Sequence, residues 1–94
     1  SEAANFPDLA QYYQDEVVQP SHELVRRIVQ RGIDRGELRE VDLTLAAHLI
    51  VAPLVQLVTW RFSLAPCCPA TLMPDPRALL DMHADMVVRG LRQE

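Results

Sequence analysis

The residues of this 94-residue chain that could do chemistry fall into a few groupings: one Ser-His-Glu run, three histidines, two adjacent cysteines and two adjacent tyrosines. Ser21, His22 and Glu23 are consecutive, so on a helix they point in different directions and cannot form a nucleophile–base–acid relay. They read better as a helix restart after Pro20. There is no glycine-rich phosphate loop and no G-x-S-x-G elbow. His22, His48 and His83 sit on three different predicted segments, none with an i,i+4 partner histidine or an HExxH context. Each is read as a half-buried or surface histidine, with metal binding as the minor alternative. Cys67 and Cys68 are vicinal, which cannot staple distant parts of a fold, and two thiols do not make the four-ligand set of a structural zinc site. They read as reduced thiols in a loop, with redox sensing as the alternative. The sequence therefore points to no catalytic residue, no metal and no cofactor.

The polar residues that call for partners are His48 and Gln56. They are eight residues apart and share one face of a very apolar predicted helix. A polar group buried there needs a hydrogen-bond partner. That partner could be a tyrosine hydroxyl of Tyr12 or Tyr13, a group across an interface between chains, or a bound ligand. Of the adjacent tyrosines one ring is expected to face the core and the other elsewhere. Trp60 is read as core or interface, with a pocket wall as the alternative.

Composition narrows the function classes. Nearly half of the residues are hydrophobic, so disorder is excluded. The length suits one thin-cored domain. Nine basic residues, all arginine, face thirteen acidic ones, for a net charge of −4. That balance lacks the electrostatic footprint of a nucleic-acid-binding domain. Arg26, Arg27, Arg31, Arg35 and Arg39 recur at helical spacing among Asp34, Glu37 and Glu40, and read as a solvated helix face with i,i+4 ion pairs. The start is polar and acidic, without a signal peptide. Leu43 to Leu64 carries His48, Pro53, Gln56 and Arg61, and its uninterrupted apolar runs are far below the ~18–20 residues of a membrane span. A soluble, cytoplasmic protein is expected, and without an initiating Met a fragment or processed form.

The elements follow from periodicity and punctuation. A first helical region is predicted over about 7–35, with Pro7 in its first turn and a kink or break near Val17 to Pro20. Gly36 is a natural residue just past its C-terminus, and Gly32 a site of close packing or early fraying. Asp42 can cap a second helix, Leu43 to Leu64, roughly 33 Å long if unbroken. Its apolar residues surround most of the circumference, so it must be buried nearly all round. A proline-rich loop, 65–74, precedes the Asp75-Pro76 start of a last helix that ends near Arg92. Neither of the last two helices can cover its apolar surface within one small domain. The pattern predicts an all-α, antiparallel helical domain whose last two long helices form a four-helix bundle across a homodimer. The interface is expected to centre on Leu54, Leu57, Val58, Arg61, Met82, Met86 and Gly90.

The order of these features resembles the C-terminal domains of TetR/AcrR-family transcriptional regulators. Arg31-Gly32-Ile33-Asp34-Arg35-Gly36-Glu37-Leu38-Arg39 is similar to their "RG-x-x-RGE-[LF]-R" stretch. It is followed by an Asp-led helix, Asp42-Leu43-Thr44-Leu45-Ala46-Ala47-His48-Leu49-Ile50, and by Ala52-Pro53-Leu54, where the family often has Gly at the position of Ala52. The opening Phe6-Pro7-Asp8-Leu9 with Tyr12-Tyr13 is similar to the family's "FPEL…FY", and Arg89-Gly90-Leu91 to its closing "RGL". The resemblance covers nearly the whole chain. It implies a ligand-sensing and dimerisation domain, 1–94, of a regulator, repressor being the expected sense. Operator DNA is read by an N-terminal helix-turn-helix domain absent from this chain. A small hydrophobic effector is implied, in a pocket that lacks the helices preceding this segment. The pocket residues expected here are Tyr13, Val17, His48 and Gln56. The alternative reading is a helical protein–protein adaptor with no small-molecule ligand.

Overall fold

The computed structural model describes residues 2–64 and 74–94, which form helices joined by short extended segments. Helix α1 (Glu2–Tyr13) runs through one π-helical turn (Gln14–Val18) into α2 (Gln19–Asp34). Helix α3 (Leu43–Thr59) ends in a second π-helical turn (Trp60–Leu64), and α4 (Pro76–Leu91) follows. No strand occurs among the described residues, and the architecture is all-α as the periodicity predicts. Cys67, Cys68 and most of the proline-rich loop lie outside the described residues.

Proline placement shapes the first rod. Pro7 falls inside α1 and not in its first turn, because the helix already starts at Glu2. Of the kink or break expected near Val17 to Pro20, the structure has no break: the helix is distorted there by the π-helical turn Gln14–Val18 and continues. Val18 and Gln19 keep right-handed helical angles, and the Gln19 N–H reaches Gln14, five residues back. Widening the turn before a proline relieves the clash of its ring with the carbonyl four residues earlier. The Ser21 hydroxyl then donates to the Val17 carbonyl at 2.6 Å.

The end of α2 is a Schellman motif. Gly36 adopts φ +75°, Gly36 N–H donates to Ile33 O and Glu37 N–H to Gly32 O, each at 3.0 Å. The buried Gly32 is the close-packing site anticipated from sequence. Leu38 folds back over it, and a methyl group built on Gly32 would lie 2.5 Å from Leu38 Cγ. Asp42 caps α3 by accepting from Leu45 N–H at 2.9 Å, and Asp75 caps α4 by accepting from Ala78 N–H at 3.1 Å.

The α2–α3 connection also holds the end of α4. Leu38 and Arg92 form an isolated antiparallel bridge. Arg39 N–H donates to Leu91 O at 2.8 Å and Gln93 N–H to Glu37 O at 2.9 Å. The Arg39 Nε–H donates to Gly90 O at 2.7 Å, which satisfies a carbonyl at the helix end. Arg39 is exposed as expected, but it lies past the end of α2 and closes a clip between segments instead of pairing along a helix face. On that face Arg26 pairs with Glu23 at 3.0 Å, three residues away.

Helix α3 packs mainly on α2 and far less on α4. Among the described residues the buried apolar core consists of Val29, Ala46, Ala47 and Val51, all small or medium in size. The molecule measures 51 × 33 × 14 Å. A helix with its side chains is about 10–12 Å across, so the short dimension is close to one helix thick. The radius of gyration is 16.2 Å, against about 12 Å for a compact chain of this length. The accessible surface is 7474 Å², against about 5,500 Å² for a folded monomer of this mass. Roughly 2,000 Å² more than usual is therefore open to water. Leu43–Phe62 also has a mean hydropathy of 1.7 over its apolar window and is long and apolar enough, by length and composition, to cross a membrane. The average passes a test that its short apolar runs fail, because it is weighted by Leu, Val and Ile between isolated polar residues.

Candidate ligand and partner surfaces

Two surfaces carry some of the residues singled out above. The first is an open groove of about 800 Å³ between α3 and α4. Asp42 starts α3 so that Leu45, Leu49 and Pro53, at spacings of four, face α4. From α4, Leu79, Met82, Met86 and Val87 face back at spacings of three, four and one. Leu45, Leu49, Met82 and Met86 are all more than 60% exposed, so the groove is lined but not filled. The polar groups along it are already engaged within the chain. Asp42 accepts from Leu45 N–H, Arg39 donates to Gly90 O, and His83 Nε2 donates to Ile50 O at 2.9 Å. With three polar side chains along it, each already making one contact within the chain, the groove offers an occupant mainly contact with carbon.

Of the expected interface residues, Met82, Met86 and Gly90 line this groove. Leu54 and Leu57 are half-buried, and Val58 and Arg61 are exposed further along the α3 rod. A methyl group added at Gly90 would meet nothing within 4 Å, so this chain alone does not require glycine there.

The second surface is on the α2–α3 side. His22 and His48 meet edge to face, with ring centroids 4.4 Å apart and planes at 89°. His48 Nδ1 lies 2.9 Å from Thr44 O, so Nδ1–H is the donor and the outer nitrogen is left for another contact. The His22 pKa is lowered, first by desolvation and then by the charges of His48 and Arg26. His48 and Gln56 are both exposed. Tyr12 and Tyr13 are exposed too, contrary to the expectation that one ring would enter the core, because no helix among the described residues packs against α1. Tyr13 and Val17 belong to an exposed apolar row on the first rod, with Leu9 before them and Leu24 and Ile28 after. None of Tyr13, Val17, His48 and Gln56 lines the α3–α4 groove. The described residues hold no cluster of three or more metal-ligating side chains.

The sequence reading missed Leu45, Leu49 and His83 as groove residues. The signal was present in the four-residue row Leu45, Leu49, Pro53, but an all-round apolar helix hides which row faces which neighbour.

A family model described as a tetracyclin repressor-like C-terminal domain matches residues 1–66. The match takes in α1, α2, α3 and the Gly32-to-Arg39 stretch whose role as a cap and clip is described above. No curated protein and no solved structure matches the chain.

Proposed function

The chain belongs to the tetracyclin repressor-like C-terminal domain family, and on that premise we propose that it is the dimerisation and effector-sensing domain of a repressor. The observation that carries the dimerisation reading is the unfilled apolar groove on a slab about one helix thick. The roughly 2,000 Å² of excess surface is the scale on which obligate partners bury each other. A second copy related by a two-fold axis would lay its own α3 and α4 against this face, placing Leu54, Leu57, Val58, Arg61, Met82, Met86 and Gly90 at the contact. In this reading operator DNA is bound by a helix-turn-helix domain elsewhere in the parent protein, acting in the cytoplasm. The acidic balance of this domain suits that division of labour.

The effector is a small hydrophobic molecule held near Tyr13, Val17, His48 and Gln56. The free ring nitrogen of His48 and the exposed amide of Gln56 supply polar contacts, and the apolar row of the first rod supplies the wall. A ligand that raises the melting temperature of the wild type should lose that effect in His48→Ala and Gln56→Ala; equal protection of all three removes this site.

Dimerisation is tested by Met86→Glu, which puts a charge into the groove. The substituted chain should have half the wild-type molar mass in light scattering, and an unchanged mass would contradict the interface. A second reading, a helical adaptor, is favoured by the exposed row Leu9, Tyr13, Val17, Leu24 and Ile28, which lies off the groove and would suit a different protein.

A further inference from the structure

We infer that α4 is a hinged arm, pivoting on the Glu37–Arg39 clip at its C-terminal end and latched to α3 by the His83 imidazole, so that one side-chain contact sets the width of the α3–α4 groove. Three observations converge on this. The clip joins two extended backbone segments by Arg39 N–H to Leu91 O at 2.8 Å and Gln93 N–H to Glu37 O at 2.9 Å, and Arg39 Nε–H adds a charge-assisted bond to Gly90 O at 2.7 Å. These bonds fix one point of α4 without fixing the direction of its axis. Along the rest of α4 the side chains that should interdigitate with α3 do not. Leu45 and Leu49 on one wall, and Met82 and Met86 on the other, stay mostly exposed across the groove. Interiors resist movement because they are close-packed, and that resistance is missing here. Between the two walls, His83 Nε2 to Ile50 O at 2.9 Å is the side-chain hydrogen bond that ties the middle of α4 to α3 among the described residues.

The lever is set by helix geometry. His83 lies seven residues before Gly90, and Arg77 thirteen, which places them about 10 Å and 20 Å from the pivot. A tilt of about 10° therefore moves the start of α4 by about 3–4 Å while its end stays in the clip. Release of His83 opens the groove at the end remote from the clip, and re-formation closes it. The device is read from a single chain; in the proposed dimer the partner's helices pack on the same walls, so α4 tilts there together with the partner. If the dimer forms as proposed, the tilt of α4 also sets the angle between the two copies.

The test uses spin labels on the full chain with both loop cysteines changed to serine. One pair joins Arg27→Cys on α2 to Arg77→Cys at the start of α4, the other Arg27→Cys to Arg89→Cys beside the clip. Labelled chains are diluted in unlabelled ones, so that distances are read within one chain in a monomer or a dimer. His83→Phe keeps the ring volume and removes the N–H. It should shift or broaden the Arg27–Arg77 distance by about 3–4 Å, the arc of the tilt above, and leave Arg27–Arg89 unchanged. His83→Gln, which can still donate, should restore the narrow distribution. Unchanged distances in His83→Phe, or equal broadening of both pairs, would overturn the hinge. Light scattering on the same samples reports the oligomeric state independently, so a failure of the dimer reading is seen separately.

Discussion

Replacing Gly32 by alanine tests whether the end of α2 is built around a close approach or only around a helix terminus. Gly32 is 16 residues before the groove helix α3 reaches His48 in sequence, yet it anchors the turn that feeds both α3 and the clip. Helix propensity alone would favour alanine by about 1 kcal/mol. Against this, the new methyl group would lie 2.5 Å from Leu38 Cγ and 3.3 Å from Leu38 Cβ. Leu38 cannot simply withdraw, because its N–H donates to Gly32 O at 3.0 Å and its backbone bridges Arg92. Only rotation of the side chain off the helix clears the overlap, and that exposes a leucine. Overpacking costs about 1–3 kcal/mol, and an overlap with a leucine held at its backbone belongs to the upper part of that range, about 2–3 kcal/mol, so the net effect after the propensity gain is a loss of about 1–2 kcal/mol. For a domain of this size each kcal/mol lowers Tm by about 4–8 °C. Thermal and urea unfolding at a fixed protein concentration measure it. In Leu38→Ala the overlap with Cγ is gone and only the 3.3 Å approach of Cβ remains, so adding Gly32→Ala to that background should cost much less than in the wild type. A single Gly32→Ala chain as stable as wild type, or a cost that persists undiminished in the Leu38→Ala background, would refute the packing argument.

Two further predictions concern positions with different physics. Gly36 has φ +75° and open space around it. Gly36→Ala should therefore cost about 1 kcal/mol through backbone strain alone, measured by urea unfolding and unaffected by Leu38→Ala. The lowered pKa of His22 has a defined sign. The unfolded chain, titrating near its ordinary value of about 6.5, binds the proton more readily than the folded one. The stability it confers is present above that value and is lost as the pH falls through the lower folded value. His22→Asn should flatten the slope of Tm against pH just below pH 6.5, and an unchanged slope would remove the desolvated His22 as its source.

Much of the fold is legible because punctuation residues act locally. Asp42 and Asp75 cap helices where their side chains can reach an N–H three residues on, and Gly36 turns left-handed where a Schellman motif needs it. Pro20 marks a local distortion, as its residue type predicts, and not a break, for an energetic reason. A proline removes one hydrogen bond, but a single widened turn absorbs the clash at less cost than breaking a rod that continues on both sides. The clip was invisible because backbone pairing between residues more than fifty apart leaves no periodic trace, and Arg39 looked like its neighbours Arg31 and Arg35. Neither tyrosine ring enters the core because no described helix packs against α1, which adjacency in sequence does not reveal. The groove was half legible. Its apolar residues stood out, but which of them face α4 depends on the angle of α4, and that angle is set by the clip and His83 rather than by sequence spacing.

The central claim, that this face is covered by a second copy, is tested most directly by the molar mass of the chain in light scattering across a dilution series. The account predicts a persistent species at twice the chain mass of 10.6 kDa. A clean monomer throughout would contradict it and leave the groove to a different protein.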